Sequence, residues 1–186
     1  CTRFMFWCRY WKCTRKKEKM KKLILILLFI PLVSFGQKQN KYVKDIKVKV
    51  DKFDNTSMAY NPMNLKGTSL PNWVNFSKHK DEKGTDIFVK LTTYGRTLTT
   101  NERGVIILFE DGTKLEYPNM KIDVEPTSNS WKYSAFIKLD ENELQNFIDK
   151  DLDGFKLYIH TKDVFSKKDI LRYKGWAQGI KEINLN

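Results

Sequence analysis

The sequence predicts an α+β domain, mainly antiparallel β-sheet or sandwich, carrying two helical segments towards its C-terminal end. Three observations lead there. Gly104 to Tyr117, GVIILFEDGTKLEY, places Asp-Gly between two apolar runs, the strongest short-range hairpin signal. TDIFVKLTTY (85–94) and WKYSAFIKL (131–139) alternate with the two-residue period of a half-buried strand. Asp140 with Glu143, and Ser166 with Asp169, are helix-start pairs whose side chains can satisfy the first-turn amides, each followed by apolar residues at helical spacing.

Residues 1–19 bury their aromatics on no periodic face and read as upstream frame. From Met20, Lys21 and Lys22 precede eleven apolar residues, Leu23 to Val33, and Ser34-Phe35-Gly36 offers small residues for cleavage. Residues 20–36 are therefore expected to be a signal peptide, with a single mature β-rich domain over 37–186. The apolar run falls short of the roughly 20 residues a bilayer span needs, so no membrane span is expected after cleavage. All three cysteines (Cys1, Cys8, Cys13) precede Gln37, which leaves disulfides no part in the expected mature domain. Residues 1–36 hold nine of the 34 Lys and Arg and one of the 22 acids, so the net charge of +12 falls to +4 beyond them. That excess is too small and too interspersed to mark a nucleic-acid partner. A monomer in the periplasm or outside the cell is the expectation.

DIKVKVDKF (45–53) alternates and predicts a half-buried strand with Ile46, Val48 and Val50 inward. Asn55 to Lys83, with Asn61-Pro62, Leu70-Pro71 and the polar run SKHKDEKG, reads mostly as loop, with Trp73, Val74 and Phe76 a short edge strand. In TDIFVKLTTY, Ile87, Val89 and Leu91 share a face. Asp111-Gly112 predicts a two-residue type I′ turn, which sets Leu108 beside Leu115 and Ile106 beside Tyr117, with Val105, Ile107 and Phe109 opposite. The first strand is apolar on both faces and is expected inside a sheet, its alternating partner nearer an edge. Pro118-Asn119 predicts a turn, Lys121 to Val124 a short strand, and Pro126 to Ser130 a second turn. Trp131, Tyr133, Ala135, Ile137 and Leu139 point one way along the next strand. A helix follows over Asp140 to Asp149, then a strand over FKLYIH (155–160). Ile170, Tyr173, Trp176, Ala177, Ile180 and Ile183 recur at helical spacing, and Gly175 and Gly179 weaken that helix by about 1 kcal/mol each, enough for a kink or an early end.

The sharpest chemical pattern is Asp149-Lys150-Asp151-Leu152-Asp153-Gly154. Carboxylates at alternate positions before a Gly resemble the first half of an EF-hand loop, because oxygens there converge on a hard cation while Gly permits the bend. Asp149, Asp151 and Asp153 are thus candidate calcium ligands, although His160 stands where the closing Glu belongs. A polar helix-to-strand turn explains the same residues without a metal. His79 and His160, the two histidines, have no cysteine to complete a zinc set. Thr92, Thr93, Thr97, Thr99 and Thr100 around Tyr94 and Arg96 form a polar surface ordinary for an open sheet face. Glu102, Glu110 and Asp123 are acids that folding could bring together for hydrolysis. Trp131 and Trp176 fall on apolar faces, whereas Trp73, after a proline in the long loop, is a candidate ligand surface. No nucleophile elbow, phosphate loop or dinucleotide fingerprint occurs.

From Met20 onward the chain resembles small exported hypothetical proteins of Bacteroidetes-type bacteria, through its Ser-Phe-Gly-Gln junction, the GVIILFEDG hairpin, and the WKYSAFIKL and FKLYI strands. The resemblance implies a β-rich envelope or secreted protein and no activity. Without a visible catalytic set, the expected function is a non-catalytic binding or structural module of the bacterial envelope, its partner an envelope protein or glycan. A calcium-binding module and a hydrolase of envelope polymers are the alternatives.

Overall fold

The computed structural model describes residues 40–62 and 73–185. The expected signal peptide, the segment before it and the expected start at Gln37 lie outside the described residues. After a 3-10 turn over Lys41–Asp45 come β1 (Lys47–Val50), β2 (Ser57–Tyr60), β3 (Val74–Asp81), β4 (Gly84–Gly95), β5 (Arg103–Phe109), β6 (Lys114–Lys121), β7 (Asp123–Pro126) and β8 (Trp131–Leu139). Helix α1 (Glu141–Asp149), β9 (Leu152–Leu157), β10 (His160–Lys162) and helix α2 (Lys167–Glu182) complete the α+β fold. A six-stranded sheet runs β1-β2-β3-β4-β8-β7 and a four-stranded sheet β10-β9-β5-β6, every pairing antiparallel.

The sheets share one core. Val74, Phe76, Val89, Leu91, Tyr133, Ala135 and Ile137 line the larger sheet's inner face, and Val105, Ile107, Phe109, Phe155 and Leu157 that of the smaller. Phe147 of α1 joins them, its ring edge-on to Phe76 (5.3 Å between centroids) and to Phe109 (5.3 Å). Both helix starts close as capping boxes: Asp140 with Glu143, and Ser166 with Asp169. The phenol of Tyr117 on β6 donates to the other half of the first box, Glu143 Oε1, at 2.8 Å.

Several expectations are corrected. The Asp-Gly hairpin has a three-residue loop: Gly112 donates to Phe109 O (2.9 Å) and Phe109 to Thr113 O (3.0 Å). Gly112 sits at φ 83°, while Asp111 is not among the positive-φ residues, so the turn is a type I turn closed by a glycine bulge. The extra residue shifts the register by one, setting Leu115 beside Ile107 and Tyr117 beside Val105. All the large apolar side chains of the hairpin thereby gather on the core face except Ile106 and Leu108. The expected place of β5 inside its sheet, with β6 at the edge, holds.

Strand β1, expected to be half-buried, is exposed along its whole length as the outermost strand of its sheet. β2 and the second half of β3 occupy what reads as loop in Asn55 to Lys83; the strand expected at Trp73, Val74 and Phe76 is present as the start of β3, but it runs eight residues and is an inner strand rather than an edge. Its lysines are half-buried and engaged: Lys78 Nζ donates to the carbonyls of Lys181 (3.1 Å) and Ile183 (2.8 Å), and Lys80 Nζ to that of Leu185 (2.6 Å), neutralising the C-terminal end of α2. Pro118 is no turn but part of β6, an edge strand where a missing amide breaks no ladder bond. The strand expected over 155–160 is displaced to Leu152–Leu157, since Tyr158, at φ 54°, turns the chain and gives its amide to Gly104 O at 2.9 Å.

Helix α2 runs unbroken to Glu182, and its glycines are points of close approach. A Cβ on Gly175 would strike the Tyr42 ring, and one on Gly179 would meet Ile46 Cδ1 at 2.5 Å. The chain before β1 lies in that notch, fixed by Asn40 Nδ2 donating to Gly175 O (2.5 Å) and by Trp176 Nε1 to Asp45 Oδ2 (3.4 Å).

Candidate binding face

The candidate metal run is divided among three elements. Asp149 ends α1 and its carboxylate accepts from Gln145 Nε2 (2.9 Å); Asp153 is exposed in β9. Between them Asp151 Oδ1 takes Lys174 Nζ at 2.6 Å, and the same ammonium donates to Asp149 O at 2.9 Å. The cation among these oxygens is therefore an α2 lysine. Lys150 reaches the other way, to Asp111 Oδ2 (2.9 Å) and Thr113 Oγ1 (2.6 Å) in the hairpin turn. These contacts hold the exposed Asp111 carboxyl down at a pKa of about 2, the Lys150 hydrogen bond contributing most. Among the described residues no three His, Cys, Asp or Glu side chains gather as a metal site.

Glu110 stands at the hairpin tip, and Glu102 with Asp123 at the far end of β5, where Ile122 donates to Glu102 O. Some seven strand residues, about 23 Å, keep Glu110 from the other two. The three do not converge as a hydrolase would need. His79 bonds Ser77 Oγ at 3.1 Å on the larger sheet, and His160 belongs to the smaller. The His160 ring stacks on Tyr133 at 3.8 Å and its Nε2 pairs with Thr99 Oγ1 at 3.2 Å. Burial lowers its pKa, opposed by Glu102. The Tyr133 hydroxyl in turn donates to Thr97 O (2.5 Å) and accepts from Thr99 N (3.1 Å), so His160 and Tyr133 together latch the connection between the two sheets. Trp73 is half-buried, with Tyr94 edge-on at 5.5 Å and the Lys162 ammonium 5.0 Å over its ring.

The better surface is the outer face of the six-stranded sheet. Register places Asn75, Ser77 and His79 of β3, Asp86, Phe88, Lys90 and Thr92 of β4, and Ser134, Phe136 and Lys138 of β8 on the face opposite Val74, Val89 and Ile137. Both helices pack on the other side, where Phe147 meets Phe76 and where Lys78 and Lys80 hold α2. Three rings form a diagonal row: His79 is 5.2 Å from Phe88, and Phe88 is 5.4 Å from Phe136. Phe136 is 45% exposed. Beside the row Lys138 pairs with Asp86 (2.8 Å) and Lys132 with Glu125 (2.8 Å). The Lys132 hydrogen bond holds the Glu125 carboxyl below its usual range, aided by the charges of Lys132 and Lys90. Asn75, Ser77, Thr92 and Ser134, on the same side of the sheet, are buried, so the accessible part of this face is the aromatic row and the charged pairs beside it. Aromatic faces bordered by fixed charges can stack on a sugar or an apolar side chain while hydrogen-bonding its rim.

Sequence reasoning passed over Phe88 and Phe136. The signal was there: in TDIFVKLTTY and WKYSAFIKL each phenylalanine falls on the polar side of the alternation. Compared with protein-family models, curated proteins and solved structures, the chain matches none.

Proposed function

We propose that the protein is an exported, non-catalytic binding module of the bacterial envelope, and that the outer face of the six-stranded sheet is its binding face. The observation that carries this reading is the Phe88–Phe136 pair, two large rings on the sheet face away from the core, one of them 45% exposed. Catalysis has less support, since the candidate acids stand apart and His160 is engaged with Tyr133 and Thr99. Export is supported by the charge, apolar run and small residues over 20–36. Among the described residues no helix is long and apolar enough to cross a membrane.

Two measurements test the proposal. The intact mass of the protein recovered from a bacterial host is expected to correspond to a start at Gln37; a retained apolar run overturns export. Sedimentation with purified cell-wall sacculi, and separately with outer-membrane vesicles, is expected to carry the protein down with one of them. Phe136→Ser should lower that retention severalfold at unchanged melting temperature. Equal retention of the variant, retention on neither material, or release of soluble wall fragments overturns the binding reading, the last in favour of a hydrolase.

A further inference from the structure

A second surface on the same sheet has its own complementarity, independent of what the aromatic face binds. β1 is an edge: its residues pair with β2, Lys47 opposite Tyr60 through Val50 opposite Ser57. Asp51 donates to Thr56 O at 2.8 Å, the next pair in register, and the two-residue alternation of an antiparallel ladder then aims the backbone groups of Lys47 and Lys49 at β2 and those of Val48 and Val50 away from it. Val48 and Val50 point to the core side of the sheet yet are 52% and 57% exposed, and Phe53 at the hairpin tip is 101% exposed. Lys47 and Lys49 stand on the opposite side, also exposed. The other edges are blunted: β6 contains Pro118, β7 ends on Pro126, and β10 is three residues long. β1 has no proline and no bulge.

The geometry points to β1 as a docking edge for an extended acidic segment of a partner protein, added as a seventh strand. The outward amides and carbonyls of Val48 and Val50 supply the backbone bonds. Apolar side chains of the incoming strand extend the core layer beside Val48 and Val50, and its carboxylates alternate with them on the face of Lys47 and Lys49. Charge also selects the occupant. A second copy pairing antiparallel through its own β1 would bring Lys47 and Lys49 against the same lysines, an unfavourable cross-strand arrangement.

The test uses the purified protein and two synthetic peptides, one alternating Glu with Val and the other Lys with Val. The Glu peptide should shift the amide resonances of Val48 and Val50, slow their hydrogen exchange, and bind more weakly as salt rises. Lys47→Glu with Lys49→Glu should reverse the preference between the peptides by about tenfold or more, a change that lost folding cannot mimic. Val48→Pro should abolish binding with the β3–β4 amides unmoved, since the amide it removes faces outward. The proposal is overturned if neither peptide moves these amides, if both bind alike, or if the same resonances shift with protein concentration alone, which would make the occupant a second copy.

Discussion

His160 and Lys174 show how single side chains change meaning when the chain folds. The unfolded chain takes up a proton at His160 near its ordinary value of about 6.5, whereas the folded protein, with the ring desolvated against Tyr133, resists it. The folded pKa lies below the unfolded one, so stability is full above about pH 6.5 and declines as pH falls towards the folded value. Urea midpoints between pH 7.5 and 5.5 should decline less in His160→Gln than in the parent. An equal decline would mean that the latch does not couple to this proton. Lys174 carries the second residue-scale prediction. Its bridge to Asp151 is partly exposed, so Lys174→Met should cost no more than about 1 kcal/mol, and millimolar calcium should leave the parent's melting curve unmoved, because an ammonium already stands between Asp149 O and Asp151. A melting temperature that rises with calcium and falls with chelator would show that the ion displaces Lys174. The acidic run was legible as an acidic run. Its cation was not, because Lys174 lies 23 residues further along the chain.

At the scale of elements, legibility followed the range of the interaction that decides each one. Both helix starts depend on side chains three residues apart, and both appear where the sequence put them. The hairpin was legible as a hairpin, but its loop length was decided by burial: the three-residue turn brings Leu115 and Tyr117 to the core side, which the two-residue turn would have left facing out. The start of β3 was legible at Val74 and Phe76, but its second half and its inner position were not, because the lysines that mark it as surface serve the end of a helix about 100 residues away. Gly175 and Gly179 were read as weaknesses of α2 for a like reason, their purpose lying in Tyr42, Val43 and Ile46. Gly175→Ala sets two effects against each other: a gain of about 1 kcal/mol in helix propensity and the displacement of the Tyr42 ring. Net stability should therefore change by less than about 1 kcal/mol, while the amides of Val43 and Ile46, which now bond within the 3-10 turn, should lose their protection from exchange. Protection retained at both would show that the segment re-seats around the methyl.

For the molecule as a whole, Phe147 of α1 touches both sheets through aromatic contacts. Phe147→Ala should cost about 3–5 kcal/mol, a large part of the 5–15 kcal/mol typical of a domain, and heat or urea should then unfold both sheets at a much lower midpoint. Separate transitions for the two sheets would contradict the shared core. The segment seated in the α2 notch bears on when such a core can close. Asn40 waits for Gly175, 135 residues downstream. At synthesis rates of about 5–20 residues per second, that is roughly 7–27 seconds during which the first part of the domain has been made and its last partner has not. Until α2 is made, the part of β3 whose lysines hold that helix lacks its partner, so the domain commits to its final shape late.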